Sequence, residues 1–288
     1  MSRNEGRFNA ADDLPTPEDE GTSAVAASAA NTQFNWALPT EFVELPSKGK
    51  FYPPGHPLHN EETIEIKYMT AKEEDILTDR SLLKKGIAVD RVLENIIVNK
   101  KINLPDLLIG DKNAILVTAR MTGYGPEYQT RVTCPACLES SEHTFNLEEL
   151  GHNDFESGLL EENVELTETN TFRVTLPMSK ATVECRMLTG KDESIITKNT
   201  MRKDRTNQAS NTLTTQLALM IVSVNGNTDK VNKLQFINAM PARDSRHLRN
   251  LMTAISPDVD MTTMFDCPSC GHQAALEVPL TADFFWPK

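Results

Sequence analysis

Positive charge is in short supply. Lysine and arginine number 29 against 41 aspartates and glutamates, which leaves a net charge of -12 over 288 residues and a pI near 5.0. Phosphate backbones are held by counter-charge, so this balance lacks the footprint of non-specific nucleic-acid binding. The richest basic stretch, KNTMRKDR at 198–205, is short and interrupted by Asp204, and reads as a solvated helix or loop face. Long apolar runs are missing too. The longest, LALMIV at 217–222, has the size of a helix core and falls far short of a bilayer span. The opening MSRNEGRFNA contains no apolar stretch of the kind a secretory signal needs. The expectation is therefore a soluble chain made in a cytoplasm, with no membrane partner. Catalytic signatures are equally scarce: no HExxH, no GxSxG, no phosphate-binding or dinucleotide glycine pattern. Carboxylates are plentiful, but they gather in helix first turns such as KEED, where capping and the helix dipole account for them. No enzyme is expected.

Five cysteines are too few, in a chain of this size, for a disulfide framework. Four of them fall in two Cys-Pro-x-Cys turns, VTCPACLE and FDCPSCGH, each flanked by strand-like sequence. Such a turn aims two sulfurs to one side, and a structural zinc needs four ligands. Cys134, Cys137, Cys267 and Cys270 together supply them, although 129 residues separate the two turns. The reading is one shared structural zinc; unmetallated thiols are the next possibility. A redox pair would open a helix, whereas these turns lie between strands. A zinc deaminase would need its proline before the cysteine pair and not inside it, although an HNE triplet stands at 59–61. His143 and His272 follow the two turns and offer substitute ligands, or are solvated surface histidines. Cys185, in the alternating run VECRML, reads as a buried strand thiol.

Along the chain, residues 1–35 combine Pro, Gly, Ser, Ala and acids with few large side chains, and read as a disordered arm. Residues 36–62 carry a proline-rich segment expected to run as an extended wrap. TIEIKYM then alternates as a strand does. Thr70 and Glu73 form a capping box, and Gly86 stops a helix of about 15 residues. AVDRVLENIIVNK at 88–100 has helical spacing, and a further helix is expected to end at Gly123 or Gly125. The second half repeats these landmarks. MTAKEEDIL at 69–77 matches LTGKDESII at 188–196, pairing Thr70 with Thr189, Glu73 with Asp192 and Ile76 with Ile195. Residues 110–137 pair without gaps with 243–270, so Asp111 meets Asp244 and both cysteine turns coincide. TLTTQLALMIVSVNG at 212–226 reads as the intervening helix. The predicted architecture is α+β, with two duplicated halves of the form strand–helices–strand–Cys turn–strand, at 63–150 and 171–288. An acidic linker occupies 151–170, and a zinc-ribbon-like element joins the halves.

ELPSKGKFYP (44–53), MTAKEEDIL, DLLIGDKNAILVTAR, YGPEYQTRVTCPAC and the closing FFWP (284–287) together resemble the baseplate hub proteins of T4-type contractile-tailed bacteriophages. The likeness spans roughly residues 40–288, and the blocks Asp106–Arg120 and Tyr124–Cys137 are its most specific part. It implies a non-catalytic protein that forms or helps to assemble the hub. Its partners would be other hub or tail proteins, with self-association left open. Its location would be the host cytoplasm during assembly, and the virion tail baseplate if it is retained. Two other readings compete: a zinc-ribbon adaptor of nucleic-acid machinery, which the charge disfavours, and a zinc-dependent hydrolase or deaminase, which needs an open metal position and a general base.

Overall fold

Short runs of β-branched residues alternate along the chain with helices, three of them started by the side-chain caps Thr70, Asp79 and Asp229. The computed structural model describes residues 38–153, 155–161, 164–205, 211–279 and 282–285; the expected arm at 1–35 lies outside them. Within the proline-rich segment, β1 (Thr40–Glu44) pairs antiparallel with β2 (Thr63–Lys67). Part of the expected wrap is thus a strand, because Glu41 and Val43 alternate with the outward Thr40, Phe42 and Glu44. The turns between the two strands bury Leu45, Phe51, Tyr52 and Leu58. Gly49 sits there at φ 69°, and a Cβ on it would fall 2.4 Å from the Glu61 amide, so glycine is required.

Thr70 caps α1 (Ala71–Thr78), and Glu73 returns its carboxylate to the Thr70 amide at 3.0 Å. The helix expected to run on to Gly86 breaks at Asp79. That residue turns extended and accepts the Ser81 and Leu82 amides, so a new helix, α2 (Arg80–Lys85), starts. Gly86, at φ 67°, ends it as expected. Then come α3 (Ala88–Ile96) and α4 (Ile109–Tyr124), the latter closed by Gly125. The strands β3 (Glu127–Thr133) and β4 (Ser140–Asn146) form a hairpin around the first cysteine turn.

The acidic segment expected to be a linker is structured in part: β5 (Gly151–His152), α5 (Phe155–Glu161) and β6 (Glu165–Leu166) fall inside it. The chain continues through β7 (Phe172–Thr175), β8 (Thr182–Cys185), α6 (Gly190–Arg205) and α7 (Thr212–Met220). The helix expected over 212–226 stops at Met220. The β-branched run that follows, β9 (Ile221–Val224), pairs with β8. One sheet results, in the order β6-β7-β8-β9. Next are α8 (Lys230–Ala239), α9 (Ala242–Ile255), β10 (Val259–Asp260), the hairpin of β11 (Thr262–Asp266) and β12 (Gln273–Glu277), and a 3-10 turn at Ala282–Phe285.

Long-range contacts then close the body. β5 pairs with β10, and α5 lies on α9 so closely that a Cβ on Gly158 would come within 2.4 Å of the Ala254 carbonyl oxygen. One contiguous apolar cluster runs from Val43 to Phe285. Ile76 packs against it, whereas Ile195, expected to face the core, is 36% exposed. No helix among the described residues is long and apolar enough to cross a membrane.

Candidate metal centre

The two cysteine turns are built alike, bond for bond. In the first, the Cys134 amide donates to the Glu139 carbonyl at 2.9 Å and the Leu138 amide to the Cys134 carbonyl at 3.0 Å. In the second, the Cys267 amide donates to His272 and the Gly271 amide to Cys267, both at 2.9 Å. Each turn needs one left-handed residue at the same place, Leu138 at φ 61° and Gly271 at φ 69°. Leucine is strained there and its side chain is exposed, so glycine fills the position more naturally.

The hairpins face each other crosswise. Cys134 Sγ lies 3.8 Å from Cys270 Sγ, and Cys137 Sγ lies 3.8 Å from Cys267 Sγ. All four sulfurs fall within 4.8 Å of one another, and none is in a disulfide. The first cysteine of each turn is buried and the second exposed. Amides of Cys137 and Ala136 draw the Cys134 thiol down to about 6. Cys270 goes the other way, up to about 12. The His272 amide favours its thiolate, but local desolvation and the sulfurs of Cys137, Cys267 and Cys134 outweigh it. Cys137 is likewise raised: the Glu139 amide helps its thiolate, and desolvation with the sulfurs of Cys134 and Cys267 prevails. The cluster thus favours the Cys134 thiolate and resists those of Cys137 and Cys270 unless a cation balances them. Four sulfurs so placed can hold a metal ion.

The other candidate ligands stand apart from this cluster, which holds only the four cysteines among the described residues. His143 packs edge-on to Phe145 and Phe265, and His59 Nδ1 lies 2.7 Å from the Tyr52 carbonyl. Cys185 is a buried β8 thiol, as expected, pushed up to about 12 by burial.

Elsewhere in the body, buried and half-buried polar side chains tie the helices to neighbouring segments. Asp111, in the first turn of α4, is fully buried. It accepts the Ser47 amide at 3.0 Å, the Ser47 hydroxyl at 2.6 Å and the Tyr52 hydroxyl at 2.7 Å. Burial raises its carboxyl above the usual range despite these donors. Asp244, in the first turn of α9, is buried too and accepts the Met178 and Ser179 amides at 2.7 and 2.8 Å. Arg120 spreads its guanidinium over three carbonyls, those of Phe284, Gly125 and Glu127, at 2.7, 2.8 and 3.0 Å. It thereby ties the chain's closing turn to the start of the first hairpin. Lys112 bridges Asp90 and Glu193 at 2.8 Å each, joining α3, α4 and α6. Sequence reasoning paired Asp111 with Asp244 but gave neither a buried role. The signal was there: an acid in the first turn of α4 and another in the first turn of α9.

The comparisons with known proteins bear on residues that include α4 and the first hairpin. A family model described as T4 bacteriophage base plate protein matches residues 39–167, a little under half of the chain. Neither the curated proteins nor the solved structures yield a match. The match takes in the DLLIGDKNAILVTAR and YGPEYQTRVTCPAC blocks and leaves the closing FFWP outside. Over residues 39–167 the chain is thus related to the T4-type phage baseplate proteins.

Proposed function

We propose that the chain is a non-catalytic structural or assembly protein of a contractile phage tail baseplate, acting at the hub through contacts with other tail proteins. The family match over residues 39–167 carries this reading. The cysteine cluster supports it. A zinc ion with sulfurs at 2.3 Å in a tetrahedron sets neighbouring sulfurs about 3.8 Å apart, which is the cross-hairpin spacing here. Four thiolates fill such an ion, so it staples the fold and offers no position to a substrate. That favours zinc as a structural ion over the hydrolase and deaminase reading.

The same proposal includes an internal duplication in which the ion joins the two halves. Several local constructions support it. Thr189 and Asp192 repeat the Thr70–Glu73 cap, with the Thr189 amide donating to Asp192 at 2.9 Å. The paired strands β7 and β8 stand where β1 and β2 stand. TFRVTLPMSK (171–180) follows TEFVELPSK (40–48) with one inserted residue, and in each case the loop serine amide caps the buried aspartate of the later helix. On this reading the repeat begins at β1, earlier than the cysteines and helices alone suggest.

The test is genetic and structural. Phage carrying a nonsense codon in this reading frame should make filled heads and no functional baseplates. Complementation with the intact chain should restore tails, whereas a chain with Cys134 and Cys267 both changed to serine should restore few. Normal tails in its absence would overturn the proposal.

A further inference from the structure

β1 is a sheet edge. Its partners are fixed by register: the Leu45 amide donates to the Glu62 carbonyl and the Tyr68 amide to the Pro39 carbonyl, so odd-numbered residues of β1 exchange hydrogen bonds with β2. The amides and carbonyls of Thr40, Phe42 and Glu44 therefore point away from β2. No strand among the described residues pairs with them. Phe42, in the middle of this edge, is 64% exposed. Natural proteins usually blunt such an edge, because its open donors and acceptors are a template for another strand. Here it is not blunted by lysine, by proline or by a bulge.

The corresponding edge in the second half is covered. Aligning Leu45 with Leu176 puts Phe42 at Arg173, and Arg173 pairs with Glu165 of β6 both through the strand register and through an ion pair at 3.1 Å. This comparison rests on the duplication proposed above. The open edge itself does not.

Beside the edge runs a groove of about 630 Å³ between β1 and α4. Its apolar lining includes Val43, Val117, Met121, Leu147 and Leu150. Three glutamates, Glu41, Glu44 and Glu148, line it as well, and no lysine or arginine does. We propose that this edge and groove accept an extended strand from a partner protein, one with apolar side chains at alternate positions and lysine or arginine between them. The main-chain bonds run to Thr40, Phe42 and Glu44, the apolar side chains enter the groove, and the basic ones meet the glutamates. Charge disfavours the chain's own first 37 residues as occupant: they hold two arginines against six carboxylates.

The probe is a fluorescein-labelled peptide of alternating valine and lysine, titrated into the full chain by fluorescence anisotropy, together with residue-resolved amide exchange of Phe42. The peptide should bind, and the Phe42 amide should exchange freely in the free chain and slow on binding. N-methylating the valines in one peptide and the lysines in another separates the two rows of strand amides: methylating the row that faces β1 should weaken binding about tenfold or more, since it removes donors and changes nothing in the protein. Phe42→Pro should do the same, because the lost N–H faces away from β2. A glutamate-for-lysine peptide should bind at least about tenfold more weakly. The proposal is overturned if the valine–lysine peptide fails to bind, if N-methylation of neither row weakens binding, or if the glutamate peptide binds as well. Slow exchange of Phe42 in the free chain would equally overturn it, since the protein's own residues would then cover the edge.

Discussion

Asp111→Ala is the substitution whose cost can be worked most directly from the structure. Truncating it strands three buried donors: the Ser47 amide, the Ser47 hydroxyl and the Tyr52 hydroxyl. Each stranded donor costs about 1–3 kcal/mol, and water entering the vacated space recovers part of the sum, so a loss of about 3–5 kcal/mol is expected. In a body of this size that lowers Tm by about 10 °C. The pH dependence has a definite sign. Burial raises the Asp111 carboxyl above its unfolded range, so its protonated form is the one the fold favours. The stability it contributes is fully present below the ordinary carboxylate pKa and declines as pH rises through the raised one. The gap between the unaltered chain and the Ala variant should therefore be larger near pH 5 than near pH 8. Urea denaturation followed by circular dichroism at both pH values measures this. A gap under about 1 kcal/mol, or one that widens with pH, would refute the reasoning.

Asp192 should behave oppositely. It is desolvated, but Arg186 grips both its oxygens at 2.8 Å and holds its carboxyl below the usual range. Asp192→Asn should cost about 2 kcal/mol at neutral pH, and the difference should fade as acid protonates the carboxylate through its lowered pKa, read by the same urea curves. Gly110→Ala should be harsher than a glycine change in a helix ordinarily is. The new Cβ would lie 1.9 Å from the Pro257 carbonyl oxygen, forcing α4 off the Pro257–Asp258 segment at about 3 kcal/mol, whereas Gly151→Ala has open space and should stay within about 0.5 kcal/mol in thermal melts.

What could be read from the residues depended on how local the cause was. A Cys-Pro-x-Cys turn carries its geometry in four residues, so both turns were visible. That Cys134 would lie against Cys270 across the chain was visible only because the turn occurs twice. Capping at Thr70 and the stops at Gly86 and Gly125 are also local, and they stand where expected. Asp79 was missed although its side chain bonds only two and three residues ahead. The apolar spacing around it looked continuous, and capping won over periodicity. LALMIV is ambiguous by its composition: its first four residues finish a helix and its last two begin a strand because β8 offers an edge to Ile221. The elements inside 151–170 have almost no pattern of their own. Gly151 and His152 become a strand through β10, more than a hundred residues later, and α5 is seated by α9. Ile195 points outward because Asp192, held by Thr189 and Arg186, sets the rotation of α6.

The most direct test of the whole account is the metal content of the purified chain, expressed with zinc supplied and dialysed free of loose ions, measured by elemental analysis beside native mass spectrometry. Cobalt substitution reports the ligands by the absorption of a four-thiolate site. One zinc per chain is expected, with tetrahedral cobalt–thiolate bands. Cys267→Ser should lose the ion and loosen both hairpins, and Cys185→Ser should keep it, since only the four clustered sulfurs can reach one ion. A chain that folds with full stability and no metal, or one that retains its zinc after Cys134 and Cys267 are both changed to serine, would contradict the account.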